Sequence, residues 1–259
     1  MSNSKTKLQL ITLLVYLVLG NPVLVAQTVD FKVDYKSFLF KHDMLWDIIP
    51  KNWETAPYTG NGNLGFLFYQ TTSEGNNIMS VYVGRHDYYD HREAKSKEQQ
   101  MLWINRSRLP LGHFDLQSKG NITAVNMRLN LWDAELTGTI FTTDGSYKIK
   151  GFTHSEKDIL YFETDATKTE AVRITWHPEK PIPPVYEELK KGQGPKGDSW
   201  DQMRATELEM PSNPVFSTAE NYNFCYQPLF NNRGETTTGW QIIGKPESKQ
   251  QLIASVHHS

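Results

Sequence analysis

The sequence predicts an all-β fold, a large antiparallel β-sandwich. From Gly60 onward, short apolar runs alternate with polar residues at a period of two, as expected for half-buried strands. Turn residues separate these runs at a spacing of roughly ten residues, and almost no segment has the period of a helix. That combination is typical of two packed antiparallel sheets and not of an α/β fold.

The individual strands follow from the same alternation. Residues 64–70 and 78–83 flank a polar loop, and residues 138–141 meet residues 147–152 across Asp144-Gly145, a strong hairpin signal. Further strands are predicted around Met127, Leu129 and Leu131 and at residues 159–164, 171–176, 224–230, 239–243 and 252–256.

One region departs from the strand pattern. Residues 178–214 contain many prolines, glycines and charges around one short helical stretch, VYEELKKG. We interpret the region as a long surface insertion. Loops of this length tend to be functional, so a binding or docking role is expected there.

The N-terminus has the layout of an export signal. Lys5 and Lys7 precede an apolar run from Leu8 to Leu19, and a break at Asn21-Pro22 follows. The run is shorter than the roughly 20 residues that span a bilayer, so a cleaved signal is favoured over a membrane anchor. We predict cleavage after Ala26, so that residues 1–26 form the signal and residues 27–259 the mature domain, periplasmic or extracellular and without a membrane partner.

Charge and cysteine content narrow the function classes. The chain has 27 Lys and Arg against 29 Asp and Glu, a formal net charge of -2. Removal of the signal takes away two lysines and no acid, which moves the charge to -4. A nucleic-acid partner would call for a basic face, so none is predicted. Cys225 is the single cysteine, which excludes an internal disulfide and predicts a buried, inert thiol.

The segment WETAPYTGNGNLGFLFYQ, which starts at Trp53, is the most informative in the chain. Gly60, Gly62 and Gly65 permit unusual backbone angles and close approach, while Asn61 and Asn63 tolerate left-handed geometry and can bond locally. The conservative interpretation is a tight entry into a buried strand. A phosphate-binding loop is not predicted, because no Lys-Ser/Thr pair and no helix follow.

This segment resembles the opening of the N-terminal β-sandwich domain of glycoside hydrolase families 95 and 65, and of related uncharacterised exported bacterial proteins. The resemblance continues through LGHFDL from Leu111 and through the strands that begin at Arg128, and it covers roughly residues 45–176. It implies a supersandwich-like domain that supports carbohydrate processing beside a C-terminal (α/α)6 barrel. The catalytic carboxylates would lie in that barrel, so no catalytic residue is assigned to this chain.

The resemblance breaks at residues 84–93, GRHDYYDHRE, where family 95 has an Asn-Glu, Thr-Leu-Trp loop. Activity on fucosides is therefore not implied. In a helix, His86 and Asp90 would share a face, as would Asp87 and His91, with workable metal spacing. Asp87 and Asp90 could also form an acid/base pair. Because the segment follows a strand, we favour a polar loop that contacts a sugar or a neighbouring domain, and we predict neither a metal nor a cofactor.

The candidate carbohydrate-binding or interdomain residues are Trp46, Trp53, Asn61, Asn63, Arg85, His86, Asp87 and Asp90. Trp46 and Trp53 could stack on pyranose rings, although packing is the more common role of a tryptophan. The alternatives to an accessory domain are a stand-alone exported carbohydrate-binding module and a truncated fragment with an exposed apolar face.

Overall fold

The structure is a computed structural model that describes residues 32–71, 75–90, 107–184, 186, 190–191, 210–229 and 234–259. The chain divides into two compact units, Met1–Tyr35 and Lys36–Ser259. The predicted signal and most of the predicted insertion lie outside the described residues. Within the described ranges, no helix is long and apolar enough to cross a membrane.

The described elements are nearly all strands. In chain order they are α1 (Tyr35–Phe40), β1 (Met44–Trp46), β2 (Tyr58–Gly60), β3 (Leu64–Tyr69), β4 (Ile78–Arg85), β5 (Gly112–Ser118), β6 (Ile122–Asn130), β7 (Glu135–Thr142), β8 (Ser146–Thr153), β9 (Ile159–Ala166), β10 (Val172–Pro178), β11 (Val215–Ala219), β12 (Tyr222–Pro228), β13 (Glu235–Gly244) and β14 (Lys249–His258).

These strands form two antiparallel sheets. The larger sheet has nine strands in the order β1-β6-β7-β8-β9-β14-β13-β12-β11, and the smaller has five in the order β10-β5-β4-β3-β2. Their inner faces enclose one hydrophobic core. The predicted all-β sandwich is therefore confirmed.

The period-two pattern places alternate side chains in this core. Leu64, Phe66 and Phe68 of β3 are buried, while the residues between them are only partly covered. Phe162 of the larger sheet packs against Phe66 and Phe68 with ring centroids 5.8 and 5.2 Å apart. Burial of such aromatic side chains holds the sheets together, since the chain has no disulfide. Cys225 is buried as predicted.

The structure adds elements that the pattern did not reveal. The short strands β1 and β2, the edge strand β11 and the helix α1 were not predicted. Three-residue strands are too short to show a period, and all five residues of β11 are exposed, so no apolar alternation marks it.

Candidate functional site

Four of the sequence candidates meet in one polar network at the end of β4. Arg85 is the last residue of β4, and its side chain is only 6% exposed. Its Nε and Nη2 donate to the two carboxylate oxygens of Asp87 at 2.8 and 2.7 Å. Its Nη1 donates to Asp158 Oδ2 at 2.9 Å and to the Val256 carbonyl at 2.7 Å. Arg85 thus carries the bidentate geometry that a planar guanidinium allows.

The two asparagines shape the adjoining turn. Asn61 Oδ1 accepts the backbone N–H groups of Asn63 and Leu64 at 2.9 and 2.8 Å, so the side chain closes the turn between β2 and β3. Asn61 Nδ2 donates to the carbonyls of His154 and Lys157 in the β8–β9 loop at 2.9 and 3.0 Å.

Asn63 extends the same network. Its Nδ2 donates to Asp158 Oδ2 at 2.5 Å, and its Oδ1 accepts from Arg85 Nη2 at 3.3 Å. The GNGN turn is therefore built to reach the opposite sheet. The conservative interpretation of this motif, a tight entry into a buried strand, describes Asn61 and Asn63 well.

The network keeps its carboxylates ionised. Hydrogen bonds from Arg85 lower the pKa of Asp87. Burial opposes ionisation of Asp158, but hydrogen bonds from Arg85 and Asn63 outweigh it and lower its pKa as well. A general acid for glycosidic cleavage needs a raised pKa, so Asp87 is unsuited to that role and acts as a structural counterion.

The remaining residues of GRHDYYDHRE separate in space. His86 is exposed, and its backbone N–H donates to the Asn63 carbonyl at 2.9 Å. Asp90 is buried, and the backbones of Tyr89 and Arg108 form an isolated antiparallel β-bridge. The described part of this segment, Gly84 to Asp90, is not helical, so the helical spacing considered above does not apply to it. His91 lies outside the described residues, and the described ranges contain no group of three or more His, Cys, Asp or Glu that could hold a metal ion.

The two candidate tryptophans line one groove of about 940 Å³. Trp46 lies on the edge strand β1, packs partly against the core and donates its indole Nε1–H to the Thr55 carbonyl at 2.7 Å. Trp53 is 65% exposed. Leu45, Ile48 and Tyr58 add exposed apolar surface to the same groove.

A short polar turn presents Trp53 to solvent. Asn52 Oδ1 accepts the backbone N–H of Thr55 at 3.1 Å and its hydroxyl at 2.9 Å. These bonds close a short turn from Asn52 to Thr55, similar to an Asx turn, and leave the side chain of Trp53 exposed. The groove thus contains one indole fixed by packing and one that is accessible.

A second concavity adjoins this groove on the outer face of the five-stranded sheet. The cleft has a volume of about 420 Å³ and lies over the ends of β2, β3 and β4. Tyr58 and Leu67, which pair directly across β2 and β3, line both the groove and the cleft. His86, Asn63 and Arg85 also line the cleft.

Sequence reasoning missed several residues of these sites. Asp158, the second carboxylate of the network, lies in the loop before β9, 73 positions from Arg85. Tyr58, two positions before the GNGN motif, was not named as a candidate, although an aromatic residue in the same segment as Trp53 can be recognised in the sequence; its exposure is visible only in the structure. Arg108 reaches the cleft through tertiary structure alone.

Comparisons with known proteins give a limited result. No family model matches the chain, and no curated protein matches it. Among solved structures, the chain is similar to one described as a kojibiose phosphorylase from human microbiome, with 11% identity and a TM-score of 0.43. The alignment covers 78% of this chain and 27% of that one, so the chain spans about a quarter of that structure's length.

Proposed function

We propose that this chain is a non-catalytic β-sandwich domain that binds oligosaccharide for an exported glycoside hydrolase-like protein. The observation that carries the proposal is the groove that brings Trp46 and Trp53 together with Tyr58. Aromatic rings pack well against the C–H faces of sugars and keep a polar edge for hydrogen bonding. A pocket that is mostly apolar with a few polar side chains is the usual form of a ligand site.

The polar residues of the groove suit sugar hydroxyl groups. Lys51, Asn52 and Glu54 line it beside the tryptophans. Lys51 Nζ is held by the side-chain oxygen of Gln70, which fixes its position at the groove wall. One cation, one amide and one carboxylate provide both donors and acceptors, as recognition of hydroxyl groups requires.

The non-catalytic part of the proposal is supported by the state of Asp87. A carboxylate held ionised by Arg85 cannot protonate a leaving oxygen. By the resemblance of the Trp53 segment to the families 95 and 65, the hydrolytic carboxylates would belong to a helical barrel in a longer protein. A stand-alone carbohydrate-binding module is the second candidate, and the same groove supports it.

Titration of the purified chain with a panel of neutral and acidic hexasaccharides, followed by tryptophan fluorescence and calorimetry, tests the proposal. We expect Trp53→Ala to weaken binding about fivefold or more, since a sugar ring stacked on an aromatic side chain contributes on the order of 1 kcal/mol. Trp132→Ala is the matched control, because Trp132 is 49% exposed and does not line the groove. Equal affinity of the two variants for every ligand, or no binding by the wild type, would overturn the proposal.

The accessory domain and the stand-alone module can be distinguished if the gene product is longer than this chain. If the gene product is an enzyme that contains this chain, Trp53→Ala in that full-length enzyme should raise KM for oligomeric substrate and leave kcat unchanged. A fall in kcat at saturating substrate would contradict a purely binding role.

A further inference from the structure

The cleft on the five-stranded sheet has features that the fold does not require. Its floor is formed where Gly60 pairs with Gly65 and Gly65 pairs with Gly84 across three neighbouring strands. A Cβ at Gly65 would lie 2.8 Å from the Thr59 carbonyl oxygen, so packing between strands explains that glycine. A Cβ at Gly84 would meet no atom of the residues that the structure describes within 4 Å.

Gly84 therefore has no packing reason to lack a side chain. It lies within β4 with ordinary backbone angles for a strand, where glycine is unfavourable because it adds no packing and costs backbone entropy. Glycine inside a strand often marks a position that another group approaches closely. Here the space above Gly84 is the cleft itself.

The charged residues that line the cleft indicate the charge of the group that it binds. In the part of the sequence that the structure describes, no aspartate or glutamate lines the cleft, whereas Arg85, Arg108 and His86 do, in a chain whose net charge is -2. Arg85 is neutralised by Asp87 and Asp158. Arg108 is exposed; its Nε donates to the Tyr89 hydroxyl at 3.2 Å, and no ion pair joins it to a carboxylate among the described residues.

We infer that the cleft is an anionic-sugar subsite, in which Arg108 binds the carboxylate or sulfate of one residue of an oligosaccharide. Arginine is well suited to such groups because its planar fork matches their oxygens. Tyr58 and Leu67 line both concavities, so one glycan chain can continue from the aromatic groove over these two residues into the cleft. The inference rests on the proposed function and deepens it by naming the ligand class as acidic glycans.

Calorimetric titration of the full chain with three hexasaccharides tests the subsite. The probes are a galacturonic acid hexamer, a sulfated galactose hexamer that carries no carboxylate, and a neutral galactose hexamer. We expect at least one acidic hexamer to bind, and Arg108→Gln to weaken its binding about tenfold or more, as for loss of a charge-assisted hydrogen bond. Arg173→Gln is the matched control, since Arg173 is exposed on β10 of the same sheet and lies outside the cleft.

Gly84→Val tests the cleft independently of charge. The added side chain fills open space, so we expect an unchanged or higher Tm together with weaker binding of the acidic hexamer. Gly84→Ala should give a smaller effect in the same direction. Preference for the uronate or for the sulfated probe identifies which anionic group the cleft takes.

The outcomes separate this inference from the proposed function. If an acidic hexamer binds but Arg108→Gln and Gly84→Val behave as Arg173→Gln does, the subsite is overturned, and a loss on Trp53→Ala still supports the aromatic groove. If only the neutral hexamer binds, the subsite is likewise overturned. If Arg108→Gln weakens binding and Trp53→Ala does not, the subsite stands and the aromatic groove is wrong.

Discussion

Arg85 and Asp158 join the two sheets of the sandwich. Arg85 ends β4 in the five-stranded sheet, Asp158 directly precedes β9 in the nine-stranded sheet, and Nη1 lies 2.9 Å from Oδ2. The same nitrogen donates to the Val256 carbonyl on β14, a second strand of the larger sheet. Thr59 and Thr153 form a further bond between the sheets, with hydroxyl oxygens 3.2 Å apart. Polar contacts therefore close this end of the hydrophobic core.

Replacement of Arg85 should destabilise the fold. We expect Arg85→Gln to lower the free energy of unfolding by about 2–4 kcal/mol, because the change leaves Asp87 and Asp158 without their buried partner. The value lies at the low end for buried pairs, since both carboxylates are partly exposed and can recover water. Urea titration measures the effect. Arg173→Gln removes an exposed arginine and should change stability by less than about 0.5 kcal/mol. Equal losses in the two variants would contradict a stabilising role for the Arg85 network.

The same network predicts a loss of stability in acid. The folded-state pKa values of Asp87 and Asp158 lie below the ordinary 3.8, so the folded state binds fewer protons than the unfolded state in that range. The stabilisation is complete above pH 3.8 and is lost as the pH falls through the lowered values. Urea unfolding at several pH values should show the gap between wild type and Arg85→Gln narrowing below pH 3.8. A gap that stays constant down to pH 2 would argue that these carboxylates do not stabilise the fold through ionisation.

Glu170 lies in the turn between β9 and β10, and we expect its buried carboxylate to stabilise the fold. It is 1% exposed and accepts the backbone N–H groups of Lys119 at 2.7 Å, Gly120 at 3.3 Å and Ala171 at 2.8 Å, as well as the Thr142 hydroxyl. We expect Glu170→Ala to cost about 2–4 kcal/mol, because these donors lose a buried acceptor. Glu170→Gln should cost less, since it retains one acceptor oxygen.

Amide hydrogen exchange tests whether the stability lost in Glu170→Ala comes from the backbone hydrogen bonds to this carboxylate. Amide exchange at Gly120 and Ala171 should accelerate in Glu170→Ala more than exchange in the core strands does. Glu247→Ala, which alters an exposed glutamate, should leave both stability and exchange unchanged. Unaltered protection at Gly120 would show that its amide does not depend on the carboxylate.

Much of the sandwich could be predicted from local pattern. The strand at Leu64–Tyr69 and the hairpin across Asp144-Gly145 appear where alternation and turn chemistry place them. Strands of three residues, such as Met44–Trp46, escape such reasoning because their position depends on pairing with a distant partner, here β6. Pairing order in the sheets also depends on contacts that no local window contains.

The function of the candidate residues stays a prediction, but the structure shows where they lie. The sequence named eight candidate residues as one set, and the structure places six of them in two groups: Trp46 and Trp53 share a groove, and Asn61, Asn63, Arg85 and Asp87 share a network. The sequence did not separate them into an accessible set and a buried set. Burial depends on which face of a strand meets the opposite sheet, and Arg85, a charged residue, faces inward.

The sequence by itself determined the class of the fold, because period-two hydrophobicity and turn residues are local properties of the chain. It also determined the turn chemistry of Asn61, whose side chain bonds to residues two and three positions away. Only the tertiary structure decided that Asp158 would neutralise Arg85 and that Arg108 and Gly84 would line the same cleft. Such contacts join residues far apart in the chain, and their distances are set by the packing of one sheet on the other.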